Sequence, residues 1–174
     1  LSQEDDSLRR YKESLLGSAA AAADASGDAR HVIVQEIAIL ADGKEITAPL
    51  STSEDVANLA ARRLAFKEGA EYRTRLRFVV QKNIVTGLKF SLKVYKLGIR
   101  VTPVPVDNSL FMIGSYPPKP GETVEYVTPP AVWPSGFMAR GNYSATVRVF
   151  DDDKEEHLTF KYSFAIAKDW PAEA

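Results

Sequence analysis

The feature that most constrains this chain is a strict two-residue alternation near its end. Leu158, Phe160, Tyr162, Phe164 and Ile166 are interleaved with Thr159, Lys161, Ser163 and Ala165. Side chains of an extended strand point alternately to its two faces, so this stretch must lie with one face in a core and the other toward water. A second stretch repeats the pattern: Tyr72, Thr74, Leu76, Phe78 and Val80 alternate with Arg73, Arg75 and Arg77, whose side chains are expected to face out. Val32 to Leu40, Leu88 to Tyr95, Leu110 to Ile113, Thr123 to Val127 and Tyr143 to Phe150 are further strand candidates, separated by turns rich in glycine and proline. About eight or nine strands at this spacing, without strong helices between them, predict an all-β antiparallel sandwich rather than a βαβ fold. The exception is Ser53 to Arg63, where Val56 and Leu59 fit one helical turn behind a Ser53 cap.

The first thirty residues follow a different period. Leu8, Tyr11, Leu15 and Leu16 form one helical stripe that ends at Gly17, with Asp5 and Asp6 at the positive end of the helix dipole. A helix of about 12 residues is marginal alone in water, so it is expected to order fully only against a partner surface. Ser18 to Arg30, including the alanine run Ala19 to Ala23, offers no face to bury and reads as a linker. The expected division is therefore a flexible N-terminal arm at 1–30, with its helix at about 6–16, and a β-sandwich at 31–174.

Composition narrows the function. A net charge of -1 with scattered basic residues gives no field for nucleic acid or anionic lipid. Without cysteine there is no disulfide, thiolate metal site or thiol nucleophile. No apolar run approaches the roughly 20 residues that span a bilayer, and no signal-peptide pattern opens the chain. Cytoplasm is the expected compartment, with no stable membrane insertion. The start at Leu1 rather than methionine reads as a fragment with sequence upstream.

Catalytic and cofactor patterns are missing. No GxGxxG, Walker A, GxSxG or HExxH spacing occurs, so no enzyme activity, cofactor or metal site is expected. His31 and His157, each at the start of a strand, read as solvated histidines. The run Asp151, Asp152, Asp153 reads as a solvated turn, in which aspartate bonds its own backbone, with reception of a partner's basic side chain as the alternative. The interior aromatics Phe78, Phe160, Tyr162 and Phe164 fit either an ordinary core or a ligand cavity.

Four stretches carry a resemblance: DDSLRRYKESLLG at 5–17; FKEGAEYRTRLRF at 66–78 with NIVTGLKF at 83–90; MIGSY at 112–116; and PSGFMARGNYSATVRVFDDDKEEHL at 134–158. Together, in order and spacing, they resemble the Rho GDP-dissociation inhibitor family. The resemblance implies an immunoglobulin-like sandwich that takes a geranylgeranyl group between its sheets, preceded by a helical arm that clamps the GTPase switch regions. It implies a monomer that binds a prenylated, GDP-bound Rho-family GTPase one to one, extracts it from membranes and blocks GDP release. Carried over by position, the lipid-binding residues fall on Ile39, Phe78, Ala145, Leu158, Phe160 and Tyr162. The GTPase-binding residues fall on Asp5, Tyr11, Leu15 and Leu16 of the arm and on Asp152 and Asp153 of the sandwich. Phe160 and Tyr162 stand where many relatives have tryptophan, and Ala131, Val132 and Trp133 stand where relatives often have acidic residues. The alternative is a general prenyl- or acyl-cargo carrier on the same sandwich, without a switch-region clamp.

Overall fold

The computed structural model describes residues 29–97 and 104–172. Within them the chain forms β1 (Val32–Ala41), β2 (Lys44–Pro49), α1 (Ser53–Ala61), β3 (Arg63–Lys67), β4 (Glu71–Val80), β5 (Val85–Lys96), β6 (Val104–Tyr116), β7 (Val124–Val127), β8 (Ala131–Val132), β9 (Gly141–Phe150) and β10 (Glu156–Ala167). One sheet has the order β2-β1-β4-β7, with β8 also pairing β4; the other runs β3-β10-β9-β5-β6. The two inward faces meet in one core, whose largest fully buried side chains include Phe66, Phe78, Phe90 and Phe160. The all-β sandwich expected from the alternation is the fold observed.

The period-2 stretches become the strands that carry this core. Along β10, Phe160, Tyr162, Phe164 and Ile166 are buried while Thr159, Lys161 and Ser163 are exposed. The register across the second sheet sets these residues in rows on the inward face. Phe164 pairs Tyr143, Tyr162 pairs Ala145, Phe160 pairs Val147 and Leu158 pairs Val149. Lys96, Val94, Leu92 and Phe90 of β5 continue the same rows. Because paired residues share a face, one row is one slice through the sandwich.

Three local expectations are corrected. The pairing is not antiparallel throughout: β3 runs parallel to β10, with Phe66 beside Ile166. The five-residue segment Arg63–Lys67 has too little alternation to read as a strand, and its parallel partner β10 follows only after β4 to β9, so no local pattern marks the pairing. The helix cap is Thr52 rather than Ser53; its hydroxyl accepts from Asp55 N at 3.1 Å while the Asp55 carboxylate accepts from Thr52 N at 3.2 Å. Leu59 of this helix is buried and Val56 packs against the core. Arg75, expected to face out, is only 8% exposed. It lies on the outer face, covered by Glu36 at 3.0 Å and by an ion pair to Glu45. Neighbouring charges on a sheet face bury one another without either entering the core.

Candidate functional site

Between the sheets lies a cavity of about 570 Å³, within the range that holds small apolar ligands. Ile39 and Tyr72 supply its wall on the first sheet, and Leu92, Val94, Tyr143, Tyr162, Phe164 and Phe66 supply the opposite wall. Its rim is the segment from Val132 to Ala139, in which Pro134, Ser135 and Met138 are exposed, together with Lys96 and Asp107.

Aromatic stacking builds the rim end. The Trp133 ring lies between Phe66 at 4.3 Å and Tyr72 at 4.1 Å, nearly parallel to both. Phe164 then stacks on Tyr143 at 5.3 Å and tilts against Phe66 at 5.1 Å. Such large, stiff side chains hold a wall open because they cannot fold into the space they enclose. The rim itself is stitched to the β3–β4 turn. Trp133 N donates to Ala70 O and Gly69 N donates to Trp133 O, each at 3.1 Å. Arg140 makes a two-pronged contact with Glu68 at 2.7 and 3.1 Å, and Gly136 N donates to the same carboxylate at 3.3 Å. The Arg140 hydrogen bonds hold the Glu68 carboxyl below its ordinary value.

The lining carries no charge of its own below the rim. Burial pushes the hydroxyls of Tyr72, Tyr143 and Tyr162 up from the usual phenol value, so all three stay protonated. The charged groups that reach the cavity are at its edge. There the Lys96 amine donates to Met138 O and lies 5.9 Å from the centre of the Tyr143 ring. The arrangement accepts an apolar body inside and a polar end outside.

Of the six residues expected to bind lipid, Ile39 and Tyr162 line the cavity. Ala145 sits between Tyr162 and Val94 in register and is fully buried. Phe160 and Leu158 belong to the next rows inward, where Phe160 is 1% exposed and Leu158 is packed against the core. Phe78 lies at the far end, edge-on to Tyr116 at 5.4 Å. The open space thus occupies the rim half of the sandwich interior, and the far half is filled by its own side chains. Phe66, Trp133 and Tyr143 were not singled out as lining residues by the sequence. Their aromatic character and their places inside FKEGAEY and PSGFMARGNY were the available signals.

The acidic run divides into three roles. Asp151 keeps the turn chemistry expected of aspartate, its Oδ1 accepting from Asp153 N at 2.9 Å and Glu155 N at 3.2 Å, but at 2% exposed it is buried rather than solvated. Asp152 pairs with Lys89 at 2.7 Å, and Asp153 is exposed. The solvated-histidine expectation fails at His157, whose side chain is 2% exposed and contacts Asp151 Oδ2 at 2.8 Å. Asp5, Tyr11, Leu15 and Leu16 lie outside the described residues.

A family model described as "RHO protein GDP dissociation inhibitor" matches residues 1–169. The chain belongs to the Rho GDP-dissociation inhibitor family. Human Rho GDP-dissociation inhibitor 1 is 35% identical over 170 residues, which cover 98% of this chain and 79% of the human one. The Rho GDP-dissociation inhibitor of Saccharomyces cerevisiae is 40% identical over 175 residues, covering 97% of this chain and 83% of the yeast protein. Membership in this family of inhibitors makes the chain a regulator of Rho proteins rather than an enzyme. Among the described residues, no helix is long and apolar enough to cross a membrane.

Proposed function

We propose that this Rho GDP-dissociation inhibitor acts in the cytoplasm, binding a prenylated, GDP-bound Rho-family GTPase one to one through two linked contacts. The cavity takes the geranylgeranyl tail, and the arm at 1–30 with the acidic turn at Asp152 and Asp153 holds the GTPase itself. The observation that carries the first contact is the uncharged, aromatic-walled space of about 570 Å³ between the sheets, open at a rim of exposed apolar side chains. Phe137 and Met138, 84% and 79% exposed, stand beside that rim and offer an apolar approach for the tail. Ile39 and Tyr162 meet the tail first; Ala145, Phe160, Leu158 and Phe78 define the rows into which it extends as side chains shift.

Energetics assign the second contact. Burial is worth about 0.8 kcal/mol per methylene, so a geranylgeranyl chain gains on the order of 10 kcal/mol in the cavity. A membrane offers nearly the same, so the tail alone drives little net extraction. Contacts with the GTPase must supply the surplus, and a clamp on its switch regions also retains GDP, because release requires those loops to open. The stripe of Leu8, Tyr11, Leu15 and Leu16 suits a segment that folds on binding. Acidic groups on arm and turn orient a basic partner surface.

The deciding experiment fills the cavity. Val94 is half-buried in its wall, and Val94→Trp places a ring in the open space. Extraction of a prenylated Rho GTPase from liposomes should be lost while binding of the unprenylated GTPase and its GDP retention persist. Full extraction by this variant would refute the lipid contact. Replacing Tyr11 and Leu15 by alanine should weaken both GDP retention and membrane extraction while the sandwich stays folded; unchanged GDP retention would leave a carrier of prenylated cargo without a clamp.

A further inference from the structure

At the end of the sandwich where β1 begins, four side chains converge that the Rho-binding reading does not use. His31, Asp151, Glu155 and His157 each direct one ligating atom into a cluster whose atoms all lie within 4.8 Å of one another. The two rings meet edge to face at 5.3 Å. Asp151 and His157 are almost wholly buried, with 1% and 2% of their side chains exposed; His31 is 14% exposed and Glu155 is open to solvent.

The hydrogen-bond directions at His31 are informative. Its Nε2 lies 2.9 Å from the Asn83 carbonyl, which can only accept, so Nε2 carries a hydrogen. Nδ1 then faces Glu155 Oε2 at 3.2 Å. A neutral imidazole in this tautomer opposes a lone pair to a carboxylate, a contact that a cation between or on the two turns from repulsive to attractive. Two of the groups are held as metal ligands are. The far nitrogen of His31 is fixed by a backbone carbonyl, and Asp151 is fixed through Oδ1 by two backbone N–H groups.

We propose that His31, Asp151, Glu155 and His157 form a binding site for a transition-metal dication of the zinc type. Two imidazoles and two carboxylates suit that class, whereas Mg²⁺ and Ca²⁺ prefer all-oxygen sets. Metal–ligand bonds of about 2.0–2.2 Å require the donors to close to roughly 3.3 Å apart, a movement that the exposed Glu155 can make and that His31 can share by turning about its bond to Asn83 O. The bound ion cross-links the start of β1 to the β9–β10 turn. On the Rho-binding reading, it therefore couples the root of the arm to the turn that carries Asp152 and Asp153. The metal site itself does not depend on that reading.

The test uses the whole chain, stripped with a chelator and titrated with zinc chloride alone by calorimetry and thermal melting. One ion should bind per chain. At about a hundredfold excess over Kd the melting temperature should rise by about 5–10 °C and return on adding EDTA, with no response to Mg²⁺. His31→Ala and Glu155→Gln should each weaken binding by about tenfold or more. Glu155 is exposed, so Glu155→Gln reports on the site even if His31→Ala folds poorly. No zinc-dependent heat or shift in the wild-type chain would overturn the proposal and leave His31 and Glu155 as a proton-bridged pair. Zinc binding that both variants retain unchanged would overturn it as well.

Discussion

Gly87 is the position where a single methyl group tests how the acidic turn is held. Its φ of +60° lies in the left-handed region, and a Cβ there would fall 2.0 Å from Asp152 Oδ2, 2.2 Å from its Cγ and 2.4 Å from Oδ1. Asp152 cannot retreat with its backbone, because its N–H is bound to Thr86 O at 3.0 Å. In Gly87→Ala the carboxylate must swing away and give up the Lys89 pair. The left-handed conformation costs alanine about 1–2 kcal/mol, and loss of a half-exposed ion pair costs about 0–1 kcal/mol. The sum of about 1–3 kcal/mol corresponds to roughly 2–12 °C in melting temperature for a domain of this size. All three offending atoms belong to the carboxylate, so Asp152→Ala removes the clash. In that background Gly87→Ala should cost only the backbone strain, and the double mutant should be more stable than additivity predicts by up to about 1 kcal/mol. Urea unfolding of the four proteins measures this cycle. Unchanged stability in Gly87→Ala would refute the strained turn, and strict additivity would refute the seating of Asp152 on Gly87.

Trp133→Ala should destabilise the fold by about 3–5 kcal/mol, since it removes a 5%-exposed ring held between Phe66 and Tyr72; thermal melting checks this, and a loss below about 1 kcal/mol would mean the rim stack is not structural. Thr52→Ala should cost about 1 kcal/mol by removing the hydroxyl that accepts from Asp55 N at the start of α1, measurable as a melting shift of about 2–4 °C. The Glu68–Arg140 anchor should depend on acid. The folded carboxyl is held below its ordinary 4.5, so its contribution is complete above that value and is lost as pH falls through the lower folded one. Protection of Gly136 N from hydrogen exchange, relative to an unstructured amide at the same pH, should therefore fall once the pH drops below the ordinary carboxyl value in the wild type and be weaker already at neutral pH in Glu68→Gln.

The two halves of the candidate site differed in how far the sequence exposed them. Alternation alone assigned Tyr162, Phe160 and Phe78 to inward faces, because a strand's period is a local property of the backbone. It could not say which inward residues border a cavity and which fill the core, since that depends on what the opposite sheet presents at the same row. Trp133 shows the point most clearly. In its short, proline-flanked segment no period is visible, yet the fold slides it between two rings and makes it the end wall.

Charge and histidine patterns were legible only as local chemistry. The turn role of Asp151 follows from aspartate's bonding to its own backbone, and it was readable from DDDK between two strands. The burial of Arg75 was not, because its cover comes from Glu36 on β1 and Glu45 on β2, paired across the sheet. His31 and His157, more than a hundred residues apart, meet because β1 starts where the β9–β10 turn closes.

The sequence by itself determined the layer architecture and the family, since each rests on periodicity or on motifs in order. Only the tertiary structure decided where the interior is open, how the rim is fastened and which distant polar groups share a corner. Those properties arise from side chains on separate strands meeting in space, and no spacing along the chain encodes the distance between two sheets.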